Sequence, residues 1–469
     1  MTTSNPLPIY AVVGHPNEGK SSVVATLTED DSVRISPTPG ETTVNREYSV
    51  RIDDRAIIQF IDTPGFQHPR QILEWFRARE ATTTGLAAKF LEAHHNEPGL
   101  AHDRELLTPL AQECGVIYVI DGSRPISSTD RMEMEILRLT GNPRMAVINP
   151  KDTGEAYIAQ WKSACSKSFN SIRLFNAHQA TYSERIALLE SLKSMNQDWE
   201  AALATAISAF EEDWANRIRQ VSGIFCHIVR QAITHTESKS VFKPDEEAVT
   251  RDALQKKYRK ALHEMERNAH QQIRHLFKHS IFNLDIPPQS ILHDDLFTSR
   301  TWQVLGLSKK QIISTAVLLG GGLGVKLDLM AAGLSFGIFT LSGALAGATA
   351  AWLKGEDLAR TRIKKQKLGG TRITVGPNTN PQFPFILLDR ALLYFQHVSN
   401  WAHARPVPVV EGSSPIKLED TEQGFTKHWS KEQRTACAQF IKAIATDQSY
   451  KKQENAERAF RTQLQQTLH

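Results

Sequence analysis

Residues 14–22 read GHPNEGKSS and come directly after the apolar run Pro8-Ile9-Tyr10-Ala11-Val12-Val13. The run is rich in strand formers. The stretch after it has the spacing GxxxxGKS, from Gly14 through Gly19, Lys20 and Ser21. Such a loop between a strand and a helix turns its backbone N–H groups inward around phosphates, and glycine lets the chain approach them closely. Asn17, Glu18, Gly19, Lys20, Ser21 and Ser22 are therefore expected to contact a nucleotide. Lys20 would reach the β- and γ-phosphates and Ser21 would ligate Mg²⁺. The helix starting near Ser21 adds a positive N-terminal dipole.

The next elements of the chain agree with this reading. Ala56-Ile57-Ile58-Gln59-Phe60-Ile61 is a second buried strand and runs into DTPG, residues 62–65. Asp62 at its end would hold Mg²⁺ through water, and the Gly65 N–H would meet the γ-phosphate. Between the two motifs lies SPTPGETTVNRE, residues 36–47, where Thr43, or alternatively Thr42, would close the Mg²⁺ shell. Three more strands are expected at 115–120, at 144–148 leading into NPKD (149–152), and at 172–175 leading into Asn176-Ala177-His178. Strands alternating with helical stretches predict an α/β domain with a doubly wound, mostly parallel sheet, its ligands at the carboxyl ends of the strands.

Taken in this order, GHPNEGKS, the Thr42-Thr43 loop, DTPG, N-x-x-D and the short last loop resemble the Era/TrmE branch of translation-factor-class P-loop GTPases. The resemblance covers about residues 8–182. It implies binding of GTP and GDP, and hydrolysis of GTP to GDP and phosphate as a molecular switch. It also implies that Asp152 accepts from guanine N1 and N2, that Asn149 braces the loops, and that the backbone of Ala177 and His178 meets guanine O6. The sequence departs from the family where Pro150 stands in place of the usual lysine of N-K-x-D.

Ras-like enzymes position water with a glutamine just after the DxxG glycine. Phe66 stands there, as in the hydrophobic-substituted branch of the family, whose members often use K⁺ held by a P-loop asparagine. Asn17 occupies that position, either as a K⁺ ligand or as a residue that only shapes the loop. Lys20, Asn17, Thr43 and Gly65 are thus the expected catalytic set. The 49 residues between Gly65 and the strand at 115 exceed a minimal switch, and QILEWFRAREATTTGLAAKFLEAHH within them reads as one or two helices.

Composition bounds the rest. Of 469 residues 23% are charged and 41% apolar, and the mean hydropathy is −0.34, which excludes a polytopic membrane protein. The net charge of +4 neither demands nor excludes an anionic partner. Cys114, Cys165, Cys226 and Cys437 are too scattered for a disulfide framework or a zinc site. The N-terminus lacks the basic and apolar regions of a secretory signal, so a cytoplasmic location is expected.

Beyond about residue 184 the pattern is that of long polar helices. Leu254, Tyr258, Leu262, Met265, Ala269, Ile273 and Leu276 fall at steps of three and four on one helix face. Residues 236–245 read as a loop, 372–378 as a short strand and turn, and 383–401 and 430–468 as helices, with 406–418 a connector. No KH clamp or RRM aromatic motif occurs, so the sequence does not support a nucleic-acid partner.

Residues 329–353, LMAAGLSFGIFTLSGALAGATAAWL, hold no charge over 25 residues. As one helix this arm would measure about 37 Å, longer than a bilayer core of about 30 Å. A shorter arm, 311–325, precedes it across Lys326-Leu327-Asp328. Gly320/Gly324, Gly333/Gly337 and Gly343/Gly347 would let helices pack closely. Basic residues at both ends favour a hairpin with both ends on the cytoplasmic side, peripheral or re-entrant at the inner membrane. The alternative is a hairpin buried in protein. The stretch also resembles the glycine-rich C-terminal domain of uncharacterised bacterial GTPases of this architecture. Four regions are expected: a GTP-binding domain at 1–183, an α-helical domain at 184–308, the apolar hairpin at 309–355 and a mainly helical region at 356–469. The expected partners are a guanine nucleotide, a membrane lipid or membrane protein, and a second copy in a nucleotide-dependent dimer.

Overall fold

The computed structural model describes residues 7–28, 42–52, 55–80, 85–150, 156–177, 180–277, 290–319, 340–342, 362–363, 366–367, 371–399 and 424–468. The chain falls into two compact units, one holding Met1–Ala215 and the other beginning at Asn216.

The first unit runs β1 (Ile9–Val13), α1 (Lys20–Thr28), β2 (Arg46–Ile52), β3 (Arg55–Asp62), α2 (Pro69–Arg77), α3 (Leu86–Ala93) and α4 (Ala101–Leu110). It continues with β4 (Gly115–Ile120), α5 (Ser128–Thr140), β5 (Arg144–Ile148), α6 (Ile158–Cys165), β6 (Ser171–Leu174) and α7 (Tyr182–Lys193). The strands form one sheet in the order β2-β3-β1-β4-β5-β6. Only β2 runs antiparallel to its neighbour; the other pairs are parallel. Helices cover both faces, which is why β1, β4 and β5 are near-continuous apolar runs.

One face packs Tyr10, Val12, Phe60, Val119 and Val147 against α1, α7 and the start of α8 (Glu200–Thr234). Leu188, Leu192, Trp199 and Leu203 belong to this core, so its packing extends past residue 183. The other face packs Ala11, Val13, Tyr118 and Ile148 against Phe76, Phe90, Leu107 and Trp161. The long insert after Gly65 therefore forms three helices, α2 to α4, whose apolar residues finish that second face. Each side chain of this size stabilises the fold by about 1.5–3 kcal/mol on full burial. Helix starts obey local chemistry: Ser127 with Asp130 and Thr181 with Glu184 form capping boxes at α5 and α7.

The second unit is mainly helical. After α8 come β7 (Glu237–Val241), α9 (Glu247–Leu276), α10 (Ser299–Val304), α11 (Lys309–Leu318), β8 (Thr340–Ser342), β9 (Arg362–Ile363) and β10 (Gln366–Lys367). Then come β11 (Thr371–Val375), α12 (Phe383–Ser399), α13 (Lys431–Ala445) and α14 (Tyr450–Leu468). On α9 the expected face is buried at Leu254, Tyr258, Leu262, Ala269 and Ile273, while Met265 and Leu276 are half-buried. Glu266 takes an inward place instead, because the Arg390 guanidinium donates to both of its carboxylate oxygens.

Two expectations are corrected. Residues 237–241, read as loop, form β7, which pairs antiparallel with β11 (Ser240 with Arg372). Its polar side chains gave no alternation because it is an edge strand, held by its backbone. Residues 329–353 do not form one continuous helix: Thr340–Ser342 are extended and pair with the other edge of β11, Leu341 opposite Thr374. The backbone groups along that edge of β11 need partners, and β8 supplies them. The first arm begins as helix α11, while the remainder of both arms (320–325, 329–339 and 343–353) and the connector at 406–418 lie outside the described residues. Among the described residues, no helix is long and apolar enough to cross a membrane.

Candidate nucleotide site

The loops after β1, β3, β4, β5 and β6 leave the sheet at the same carboxyl edge, and the P-loop sits at its centre. Gly19 has φ +95°, and a Cβ there would come within 2.3 Å of Asn149 Nδ2. Glycine is required because the Asn149 amide occupies that space. Asn149 Nδ2 donates to the Glu18 carbonyl at 3.0 Å, and its Oδ1 accepts the Ala177 N–H at 3.0 Å. One side chain thus joins the P-loop to the loops after β5 and β6. Asn17 holds φ +67°, a left-handed conformation that asparagine tolerates better than most residues. Lys20 is buried, and its ammonium donates to the Gly14 and His15 carbonyls at 3.1 Å each. Ser22 is buried in α1.

Ser21 Oγ donates to Asp62 Oδ2 at 2.7 Å. Asp62 is 1% exposed, and its other oxygen, Oδ1, is buried without a hydrogen bond. Burial raises this carboxyl above its usual range, against the opposing pull of the Ser21 hydrogen bond and Lys20. An orphaned buried carboxylate oxygen beside a serine hydroxyl is an oxygen-only donor set that suits Mg²⁺. The ion would supply charge neutralisation between the β- and γ-phosphates. Gly65 lies against the P-loop: a Cβ on it would meet Pro16 Cδ at 2.5 Å. Thr42 is half-buried and Thr43 exposed, just ahead of β2. Asp152 and His178 lie outside the described residues.

Three side-chain pairings around the site escaped the sequence reading, the first at Glu18, which was expected only as a nucleotide contact. Glu18 is 3% exposed; its carboxylate accepts from the Asp121 N–H and from Arg124, with Arg124 Nε at 3.0 Å. Arg124 also grips Asp130 with two bonds of 2.7 Å. Burial pushes the Glu18 carboxyl up, while the Arg124 guanidinium pulls it down. A charged residue inside a glycine loop was the available signal, but its partner lies 106 positions away.

Secondly, His15 Nδ1 lies 3.2 Å from Glu133 Oε1, and Tyr118 OH donates to Glu133 Oε2 at 2.8 Å. The hydrogen bond to Glu133 raises the pKa of His15. Thirdly, α4 holds both segments flanking the phosphate end. Asp103 Oδ1 accepts the N–H groups of Gln67 and His68 at 2.9 and 3.2 Å, and Asp103 Oδ2 is 2.8 Å from His68 Nδ1. Glu105 Oε1 accepts the Asn45 N–H at 2.9 Å, and the Glu105 carbonyl accepts from Asn45 Nδ2 at 2.7 Å.

Residues 9–150 match the family described as 50S ribosome-binding GTPase, and residues 162–469 match the family described as Domain of unknown function (DUF3482). GTPase Era of Clostridioides difficile (strain 630) is 30% identical over 142 residues, which cover 30% of this chain and 39% of that protein. GTPase Der of Xanthomonas campestris pv. campestris (strain B100) is 29% identical over 147 residues, covering 31% of this chain and 26% of that protein. The chain thus spans about two-fifths or less of the curated relatives it matches. A solved structure of Era in complex with MgGDPNP and nucleotides 1506–1542 of 16S ribosomal RNA aligns over 58% of this chain and 89% of that chain, at 15% identity and a TM-score of 0.31.

Proposed function

Because this chain belongs to the family described as Domain of unknown function (DUF3482) and carries an Era-like P-loop GTPase domain, we propose that it binds guanine nucleotide and hydrolyses GTP to GDP and phosphate as a molecular switch. The observation that carries this reading is the pairing of Ser21 with Asp62 at 2.7 Å beside the buried Lys20, with one Asp62 oxygen left for a metal shell. In this reading Lys20 and the backbone of residues 17–22 hold the β- and γ-phosphates. Ser21, Asp62 and Thr43 hold Mg²⁺, and Gly65 reports the γ-phosphate. Asn149 sets the base pocket, which Asp152, Ala177 and His178 complete. Phosphate release from GTP, but not ATP, in Mg²⁺ buffer tests it; equal turnover of both nucleotides, or of neither, defeats it.

Asn17, in its left-handed conformation at the P-loop, is the K⁺ ligand. A cation there would neutralise charge developing on the phosphates. Identical turnover in K⁺ and Na⁺ buffers removes this part of the reading.

The effector region works at the inner membrane, through the glycine-rich arm that begins at α11 and ends in a basic flank. Flotation of the full chain with anionic vesicles, stronger with GTP than with GDP and lost on deletion of 311–353, is the expected result. A second reading, action on ribosomal RNA, draws on the family description of residues 9–150 as a 50S ribosome-binding GTPase. Salt-sensitive sedimentation with ribosomes, and no vesicle binding, would favour it. A nucleotide-dependent dimer would appear as a doubling of mass by light scattering when GTP is added.

A further inference from the structure

Phe66 comes directly after Gly65 and is 2% exposed, packed in the core under the sheet, so it has no polar group to offer a water molecule. Two residues on, His68 has a side chain that is 49% exposed, and its Nδ1 lies 2.8 Å from Asp103 Oδ2, on a fully buried carboxylate. A carboxylate oxygen accepts hydrogen bonds, so a neutral ring that donates from Nδ1 to Asp103 keeps the Nε2 lone pair. The same Asp103 fixes the backbone of Gln67 and His68 through two N–H bonds. The ring and its main chain are therefore held by one group on α4.

His68 lines a groove of about 500 Å³, with Phe66 and Gln67 on its own segment and His15, Thr129 and Met132 opposite. His15 belongs to the P-loop, and the next residue, Pro16, is the one that Gly65 abuts. The groove thus opens beside the phosphate end of the site. The other charged groups on it are engaged: Arg70 pairs with Glu74 at 2.9 Å, and His15 with Glu133 at 3.2 Å. His15 is the competing imidazole; its Nδ1 lies 3.2 Å from Glu133 Oε1, on a carboxylate that also accepts from Tyr118, and the His15→Ala variant below separates the two rings.

We propose that His68 is the catalytic residue that accepts a proton from the attacking water in GTP hydrolysis, with Asp103 its positioning residue. The proposal rests on the GTPase reading. The water oxygen bonds to the γ-phosphorus, and the bond from that phosphorus to the β–γ bridging oxygen breaks, its electron pair leaving on GDP. The water proton passes to His68 Nε2 and from there to phosphate or solvent. A positioned acid–base group of this kind accelerates a step by about 10²- to 10⁴-fold.

The test is single-turnover GTP hydrolysis by the full chain with Mg²⁺, alongside titration with a fluorescent GTP analogue. His68→Ala is expected to lower the rate about 100-fold or more, to leave nucleotide affinity within about twofold of wild type, and to regain rate with added imidazole. His68→Asn keeps a donor for Asp103 but has nothing at the Nε2 position, so it is expected to lose the same rate. Full activity in His68→Asn would reduce His68 to a structural prop and overturn the proposal. So would a lost rate in His68→Ala that imidazole does not restore, or imidazole rescue of His15→Ala alone. A wild-type chain that binds GTP without turning it over would instead defeat the GTPase reading itself, and the proposal with it.

Discussion

Asp103 and Glu105, two residues apart on α4, hold opposite flanks of the nucleotide site: Asp103 takes the chain just after Gly65, and Glu105 takes Asn45, just after Thr43. Both segments are therefore anchored to a single helical turn contributed by the long insert. Glu105→Ala removes the bond to the Asn45 N–H but leaves the one to the Glu105 carbonyl. One hydrogen bond to a charged group is worth about 1.5–3 kcal/mol, only part of which reaches the nucleotide. GTP affinity is expected to fall about fivefold with GDP affinity unchanged, as read by nucleotide titration.

Gly65→Ala puts a methyl group where Pro16 already stands, at 2.5 Å from Cδ. Under the proposed function, the DTPG segment yields only by moving Gly65 away from the γ-phosphate. Misplacement of about 1 Å costs on the order of 100-fold in rate. The variant is expected to bind GDP normally, to bind GTP no more tightly than GDP, and to hydrolyse it at least about 100-fold more slowly. Calorimetry with each nucleotide, beside a phosphate-release assay, checks both halves.

Arg124→Ala strands the buried Glu18 carboxylate. Removing one partner of a buried ion pair typically costs about 3–5 kcal/mol. Because Arg124 is 32% exposed, about 2–3 kcal/mol is expected here. Adding Glu18→Gln removes the stranded charge and is expected to recover part of the loss. Urea unfolding of the single and double variants gives the comparison.

Asp389 in the second unit is buried, and burial pushes its carboxyl up to about 6 although Thr426 and the Gly306 N–H donate to it. Between pH 4 and 6 the folded chain binds more protons at this residue than the unfolded chain does, so stability falls as pH rises. Its contribution is fully present below the unfolded pKa and is lost as pH passes about 6. Over that window the change is about 2–3 kcal/mol. Denaturation midpoints measured from pH 4 to 7 should show this slope in the wild type and a flatter one in Asp389→Asn, even if the variant is less stable throughout.

What the sequence made legible was what repeats locally. The strand at 9–13 and the glycines and lysine after it lie within a dozen residues, so spacing alone carries their geometry. The α9 face was readable for the same reason, through steps of three and four. Glu266 broke the pattern because its compensating Arg390 lies 124 residues away. Arg124 opposite Glu18, and Asp103 beneath His68, are also pairings made by the sheet and by the insert, not by neighbours in the chain. Strand β7 was missed because an edge strand needs only its backbone to pair, and ESKSV offers no alternation of apolar side chains.

The short strand β8 has a consequence for the uncharged arm in which it lies. Pinned to β11 at Thr340–Ser342, the stretch 329–353 is cut into two runs of eleven residues. Each run would reach about 16 Å as a helix, half the thickness of a hydrocarbon core of about 30 Å. Under the proposed membrane role, the tether would turn a stretch of sufficient length into two half-length ones, and a full crossing by 329–353 would require β8 to part from β11.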